Sequence, residues 1–275
     1  MCNSSTTITT TTTTKSTTTK ENSNGGVSPQ TVLKAIYLFA TFLCIFMIGW
    51  ILVFPSSWLM GHSETHDAWI HEQLVEPYDG TQIHPKIVTK YAGHSDVQFT
   101  HTLPAAVWSV AIPFQLHQGF RKTYKTSHRR IGYAFLCSSL LMTVGMFLIV
   151  IKKLTYDYDY EGLAPPLSKF EEIQTKCGIF GMGVWFAFTS SMAVLEARKK
   201  RFQSHKYYIY RHIGSGLWVA VQRLLIGAFG PQKNPEAMRD RFGDAAFIGF
   251  VLTFSLGELA VYMDRQPAGK QIKTQ

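Results

Sequence analysis

Residues 35–54 form an apolar segment of 20 residues that contains no charged side chain. At about 1.5 Å of rise per residue, a helix of this length spans about 30 Å, the thickness of the hydrocarbon core of a bilayer. Several such segments make a soluble helical protein a poor alternative. The sequence therefore predicts an all-α fold, a polytopic membrane helical bundle with about six transmembrane helices. The other five predicted spans are residues 99–116, 131–151, 177–197, 213–228 and 245–263.

The first apolar segment has two other interpretations, a cleaved signal peptide and part of an organelle transit peptide. A signal peptide fits poorly, because its charged region would occupy residues 1–34 and because Pro55 follows in place of a small-residue cleavage site. A transit peptide fits the Thr-rich, acid-poor leader, although this leader contains lysines and no arginine. We favour a retained helix.

The chain divides into five regions by composition. The N-terminal region, residues 1–30, has too few large apolar residues for burial to offset the entropy of ordering it, and we expect it to be disordered. The regions are a Thr-rich cytoplasmic tail (1–30), a first transmembrane helix (31–54), an acidic outer loop with histidines (55–98), a membrane bundle of five helices (99–263) and a cytoplasmic tail (264–275).

The connections between the predicted spans are alternately basic and acidic or mixed along the chain, and this alternation predicts how the protein is oriented in the membrane. The connections after the second and fourth spans are strongly basic, whereas the loop at 55–98 contains six acids and two lysines. The positive-inside rule then places both termini in the cytoplasm and leaves the kind of membrane open. The net charge of +9 is explained by this topology and by attraction to anionic lipid head groups on the cytoplasmic side. Nucleic-acid binding is not expected, because neither basic connection has a groove-reading context.

A short pattern, Arg-Lys, four residues, Ser-His, occurs twice at a spacing of 77 residues. The copies end at His128 and His205, each at the start of a predicted span. Such a recurrence favours a core of two parallel-related helical hairpins, with chance similarity between two basic loops as the alternative. We expect Ser127 and Ser204 to be N-caps of the helices that follow them.

The histidines of this cytoplasmic face are candidate cofactor ligands. Two imidazoles from facing helices supply the axial ligands of a b-type haem, and His128, His205 and His212 are the candidates. His101 lies at the outer depth and is expected to form a polar site there. The span at 177–197 contains no histidine, so only one haem is supported.

The same face could bind phosphate instead of haem. Guanidinium groups bind phosphate oxygens in bidentate fashion, which suits a lipid head group or another anionic ligand. The candidate residues for this alternative are Gln115, Arg121, Arg129 and Arg211.

Two charges fall inside predicted spans, Arg223 and Glu258. A charge in the hydrocarbon costs at least about 2.5–3.5 kcal/mol on insertion scales, so each needs a partner. We expect these two residues to form an intramembrane ion pair, which either locks two helices together or belongs to a polar site or proton path.

The outer loop contains His62 and His66, four residues apart. On a helix they would share a face and could chelate Zn²⁺ or Cu²⁺, although a solvated loop is the simpler interpretation. No nucleophile–base arrangement or phosphate-binding glycine loop is evident, so no hydrolase or kinase activity is predicted and enzymatic activity is left open.

From about residue 99 to 263 the chain resembles an uncharacterised family of predicted polytopic membrane proteins, known mainly from bacteria. The resemblance rests on polar residues at fixed spacing, and the chain departs from the pattern at Ile209-Tyr210, where the family has an aromatic–methionine pair. The matching residues are His101, Gln115, Arg121, His128-Arg129, Gly132, His205, Arg211, Arg223 and Glu258.

A more distant resemblance to transmembrane b-type cytochromes implies a haem-binding membrane redox protein with an inner-face His/Arg site. The alternative is a non-enzymatic transporter, or a membrane protein that binds lipid or another anionic ligand. A purely structural membrane protein is the third interpretation.

Overall fold

A computed structural model describes most of the predicted bundle. The predicted tail up to residue 26, the histidines His62 and His66 and the end of the chain after residue 266 lie outside the described residues. The described residues are 27–53, 68–69, 72, 76, 91, 93–155, 162, 164–230, 232 and 234–266.

Within these residues the secondary structure is helical, without a strand. A short α-turn (Ser95–Val97) and one π-helical turn (Gln98–Thr102) lead directly into the helix Leu103–Leu116, so the chain is helical from residue 95 to 116. The longer helices are α1 (Pro29–Val53), α2 (Leu103–Leu116), α3 (Gln118–Thr123), α4 (Lys125–Ile151), α5 (Lys169–Arg198), α6 (Phe202–Ala228) and α7 (Pro235–Arg265).

Four of these helices are long and apolar enough to cross a membrane, namely α1, α4, α5 and α7. The large apolar residues on their outer faces, such as Leu140 and Phe247, are 66% and 70% exposed, as expected of side chains in contact with lipid. The all-helical fold is thus confirmed for the described residues, and the four apolar helices support a membrane protein. The predicted spans at 99–116 and 213–228 are helical, but they are not among the four, so the count of six remains a prediction.

The ends of the helices show how the chain reverses direction. A residue with a left-handed backbone follows both α4 and α5, two positions after the last helical residue. These residues are Lys153 at φ 56° and Lys200 at φ 58°. Beyond α5, the amide of Arg201 donates to the carbonyl of Glu196 at 2.9 Å, and the amide of Lys200 donates to that of Ala197 at 3.0 Å. This pattern is a Schellman motif, which satisfies the last carbonyls of a helix and turns the chain. Here it positions the start of α6.

The positions at which α4 and α6 begin contradict the prediction that Ser127 and Ser204 are N-caps. Helices α4 and α6 begin two residues before the serines, so that Tyr124 and Arg201 are the N-cap residues and Ser127 and Ser204 are the third residues of their helices. The expected N-cap role of these serines is therefore wrong. The two copies of the repeat nevertheless occupy equivalent positions at the starts of α4 and α6. The parallel-hairpin duplication itself remains a prediction.

Five helices surround the core. Helix α2 packs between α1 and α4, α4 packs on α5, α5 packs on α6, and α6 returns to α1, while α7 lies on the outside against α6 and α1. The core is filled by large apolar side chains from different helices, with Leu43 of α1, Trp108 of α2, Phe135 of α4 and Leu217 of α6 all less than 5% exposed.

Helices α6 and α7 make the closest contact in the bundle, through glycines. A Cβ atom added at Gly214 would lie 2.7 Å from the backbone oxygen of Thr253, and one added at Gly249 would lie 2.7 Å from the backbone oxygen of Trp218. Small residues of this kind allow helix backbones to approach closely where lipid provides no hydrophobic driving force between helices. The contact seam between α6 and α7 therefore depends on the lack of side chains at these positions.

We predict that Gly214→Ala lowers the free energy of unfolding by about 1–3 kcal/mol, because the added methyl group forces two helix backbones apart. The measurement is the thermal unfolding midpoint of the detergent-purified protein, followed by tryptophan fluorescence. Gly227→Ala is the matched control on the same helix, since an added Cβ there meets no atom within 4 Å. Equal midpoints for the two variants would contradict the close α6–α7 contact.

Candidate functional site

His212 lies at the centre of the bundle and is completely buried. It is surrounded by three aromatic side chains from three other helices. The centroid of its ring lies 4.1 Å from that of Phe186, 5.4 Å from Phe135 and 5.9 Å from Trp108. A polar ring in such a setting must be satisfied by protein groups, because leaving it unbonded would cost several kcal/mol.

Both ring nitrogens of His212 have partners. The indole N–H of Trp108 donates to Nε2 at 3.1 Å, and the hydroxyl of Ser139 lies 2.8 Å from the same nitrogen. Nδ1 lies 3.2 Å from the carbonyl oxygen of Phe186 and 3.2 Å from the hydroxyl of Thr189. Since an indole only donates and a carbonyl only accepts, Nδ1 carries the proton and Nε2 accepts. As a haem ligand, His212 would first have to give up these bonds.

His205 and His128 lie nearer the basic end of the bundle, and both are half-buried. Nδ1 of His205 lies 2.8 Å from the carbonyl oxygen of Ala193, so this nitrogen donates and Nε2 keeps its lone pair. Nδ1 of His128 is shielded from solvent and has no hydrogen-bond partner among the described residues. His128 also interacts electrostatically with His205 and Arg121. The two predicted histidines are therefore close enough to interact electrostatically, and each has a ring nitrogen with no hydrogen-bond partner in the part of the chain that the structure describes.

The other residues of the predicted phosphate site are spread over this end. The amide of Gln115 donates to the backbone oxygen of His128 at 2.9 Å, which ties the end of α2 to the start of α4. Arg121 lies on α3 near His128, and Arg129 is exposed on α4. Their role as phosphate ligands remains a prediction.

The predicted intramembrane ion pair needs a correction, because Glu258 is bonded to Arg211 and not to Arg223. Nε of Arg211 donates to Oε1 of Glu258 at 2.6 Å, and Nη2 donates to Oε2 at 2.9 Å. This bidentate geometry joins α6 to α7 and uses the arginine that was predicted to bind phosphate. Arg223 follows Arg211 by twelve residues, about 18 Å along a helix, and cannot reach the same carboxylate.

Arg223 instead lies between aromatic rings. Its guanidinium carbon is 5.3 Å from the ring centroid of Trp50 on α1 and 5.0 Å from that of Phe242 on α7. Cation–π contacts of this kind are strongest when the cation is removed from water. The arginine thus joins three helices at the end of the bundle opposite the histidine pair.

His101 lies in the π-helical turn that precedes α2. Its Nδ1 is 3.2 Å from the carbonyl oxygen of Met142, and a Cβ atom added at Gly145 would lie 2.6 Å from the Cβ of His101. The predicted outer-side polar residue is therefore packed tightly against α4, far from His128 and His205 in the same bundle. π-Helical turns are frequent at functional sites, but no group of three or more metal-ligating side chains occurs here or elsewhere in the described residues.

A pocket of about 450 Å³ lies at the basic end of the bundle, between α1, the end of α2, α6 and α7. Most of its wall is apolar, while Lys34, His117 and Gln118 stand at one end. All four wall segments come from the end of the bundle that carries the basic connections. The apolar residues that form the wall include Leu33, Leu43, Ile213, Leu217, Leu256 and Ala260.

The sequence patterns missed both this pocket and the partners of His212. Polar or aromatic residues inside apolar spans, such as Trp108 and Ser139, are a usable signal, since each needs a partner within the bundle. The pocket has no such signal, because its wall consists of ordinary apolar side chains from four separate segments.

Comparison of the chain with protein-family models, with curated proteins and with solved structures finds no significant match.

We predict that His212→Phe destabilises the protein by about 1–3 kcal/mol, because the buried indole N–H of Trp108 loses its acceptor. The double variant Trp108→Phe with His212→Phe should be no less stable than His212→Phe alone, since it removes the donor as well. The thermal unfolding midpoint in detergent measures the stability of the single variants and of the double variant. A double variant whose loss equals the sum of the two single losses would show that the Trp108–His212 bond contributes nothing.

Proposed function

We propose that this chain is an integral membrane protein that binds an amphipathic small molecule in the pocket between α1, α6 and α7. The observation that carries the proposal is the pocket itself, an apolar cavity of about 450 Å³ with a polar end. Ligand sites in proteins are typically concave, mostly apolar cavities of about 300–1,000 Å³ with a few polar groups that fix orientation. The pocket has each of these properties.

The surroundings of the pocket favour a ligand that comes from the bilayer. Leu38 of α1 lines the pocket and is also 55% exposed on the outer apolar face of the helix. The pocket wall is thus continuous with surface that faces hydrocarbon in a membrane. Its polar end lies at the basic end of the bundle, which the positive-inside rule assigns to the cytoplasmic interface. An amphiphile could enter sideways, with its chain in the pocket and its head at the interface.

This proposal agrees with the second of the two functions predicted from the sequence, a membrane protein that binds lipid or another anionic ligand. It moves the site, however, from Arg129 and Arg211 to the pocket. Arg211 is engaged by Glu258 through two hydrogen bonds, which reduces its capacity to bind a ligand phosphate.

We predict that Leu256→Trp weakens binding of a fluorescent fatty acid at least about tenfold, because the larger side chain fills the pocket. The assay titrates the purified full-length protein in detergent with the probe and follows its fluorescence. Leu252→Trp is the matched control, four residues earlier on the same helix and 42% exposed on the lipid-facing side. Non-saturable binding, or equal affinity in the wild type and in Leu256→Trp, would refute the proposal.

A second candidate function is one-electron transfer by a b-type haem held between His128 and His205. Nδ1 of His205 donates to a backbone carbonyl, and this bond orients the metal-ligating histidines of known sites. Nδ1 of His128 is buried and has no hydrogen-bond partner among the described residues.

A two-histidine ligand set suits haem better than a bare metal ion. No group of three or more metal-ligating side chains occurs in the described parts of the chain, whereas a zinc site takes three or four. A haem iron needs only two protein ligands, because the porphyrin provides four nitrogens, and it would supply a reversible one-electron couple. The nearby Arg121 could pair with a propionate.

For this candidate, we expect a Soret absorption band that shifts on addition of dithionite in protein purified from haem-replete cells. His205→Ala should abolish the band, because it removes one axial ligand. His94→Ala is the control, since this histidine lies at the opposite end of the bundle from the pair and makes no side-chain cap hydrogen bond. A colourless wild-type protein would refute haem binding.

A further inference from the structure

We infer that the pocket selects a single-chain amphiphile with one anionic head group, which Lys34 and His117 bind. This inference rests on the proposed function, because it names the ligand class of the same pocket.

The charge at the polar end of the pocket has one sign. The pocket wall contains Lys34 and no aspartate or glutamate. No carboxylate among the described residues forms an ion pair with Lys34, although other lysines at this end do so, as Lys206 does with Asp264. Lys34 is exposed at the mouth of this apolar cavity, so its ammonium group is accessible to an anionic group that a ligand brings with it.

His117 presents a hydrogen-bond donor at the same place. Its Nδ1 accepts from the backbone N–H of Phe120 at 2.9 Å, which caps α3. In the neutral imidazole the proton must then be on Nε2, the ring atom left for a ligand. The ring is oriented by this cap bond and lies beside that of Tyr37, with 6.0 Å between ring centroids. The cap bond therefore directs Nε2 away from α3.

The two groups come from different helices and converge on one end of the pocket. Lys34 is on α1, one turn from Tyr37, and the ring of Tyr37 contacts that of His117 at the end of α2. An ammonium group and an imidazole N–H together match a carboxylate or a phosphate monoester, whose oxygens accept several bonds at once. A neutral alcohol or glyceride head offers the ammonium group no negative charge to pair with.

The volume of the pocket limits the size of the apolar part. About 450 Å³ is in the lower half of the range for small-molecule sites. A phospholipid with two acyl chains is larger than the ligands that such sites enclose, whereas one extended chain fits between α1 and the α6–α7 wall.

The test is a competition assay with the full-length protein in detergent, in which unlabelled ligands displace a fluorescent fatty acid. Palmitate and a single-chain phosphate monoester should each bind about tenfold more tightly than hexadecanol, the neutral analogue. A two-chain phosphatidic acid should compete more weakly than the single-chain phosphate.

Two variants assign the head-group contacts. Lys34→Met should remove most of the preference for palmitate over hexadecanol, while Lys122→Met, an exposed lysine on α3 outside the pocket, should keep it. His117→Asn preserves an N-cap acceptor for α3 but removes the imidazole donor, and it should reduce the same preference.

The possible results distinguish failure of the ligand assignment from failure of the proposed binding pocket. Equal displacement by palmitate and hexadecanol would overturn the anionic head group and leave the pocket intact, as would a full preference in Lys34→Met. Equal competition by the two-chain lipid would overturn the single-chain assignment. If none of the ligands displaces the probe, the proposed function fails as well.

Discussion

The interior of this bundle contains a completely buried imidazole ring, His212, whose hydrogen bonds come from the protein. Its bonds to Trp108, Ser139 and Thr189 connect α6 with α2, α4 and α5 at one point. Apolar packing tolerates a small rotation of a helix about its axis, but a set of directional hydrogen bonds does not. The rotations of these four helices are therefore coupled through one imidazole ring.

Helix α6 is the element on which both candidate sites depend. One side of it carries His205 and His212, which face α5, and another side carries Ile213 and Leu217, which line the pocket. The bidentate pair of Arg211 with Glu258 holds the same stretch of α6 against α7. The bonds at the core thus determine where the pocket wall and the histidine pair lie.

The sequence predicted the helices well, because long apolar segments allow few other structures in a membrane. It predicted the charged partner of Glu258 incorrectly, since the offset of α7 along α6 is set by glycine contacts that no hydropathy pattern reveals. The N-cap positions differ by one turn because polar residues such as Lys125 extend both helices beyond the apolar spans. The neighbourhood of His128 and His205 was expected from their equivalent depth. The pocket was not expected, because a cavity is a property of the fit between helices and leaves no trace in any one of them.

The glycine seam between α6 and α7 has a mechanical consequence. Where backbone meets backbone, as at Gly214 and Thr253, there is no layer of side chains that can change rotamer and let one helix slide over the other. Helices α6 and α7 therefore act as a single stiff wall. Helix α1 packs mainly on α2 and less extensively on α6 and α7, so it is the compliant wall. If the proposed pocket widens to admit or release a ligand, α1 is therefore the helix that moves, while α6 and α7 stay together.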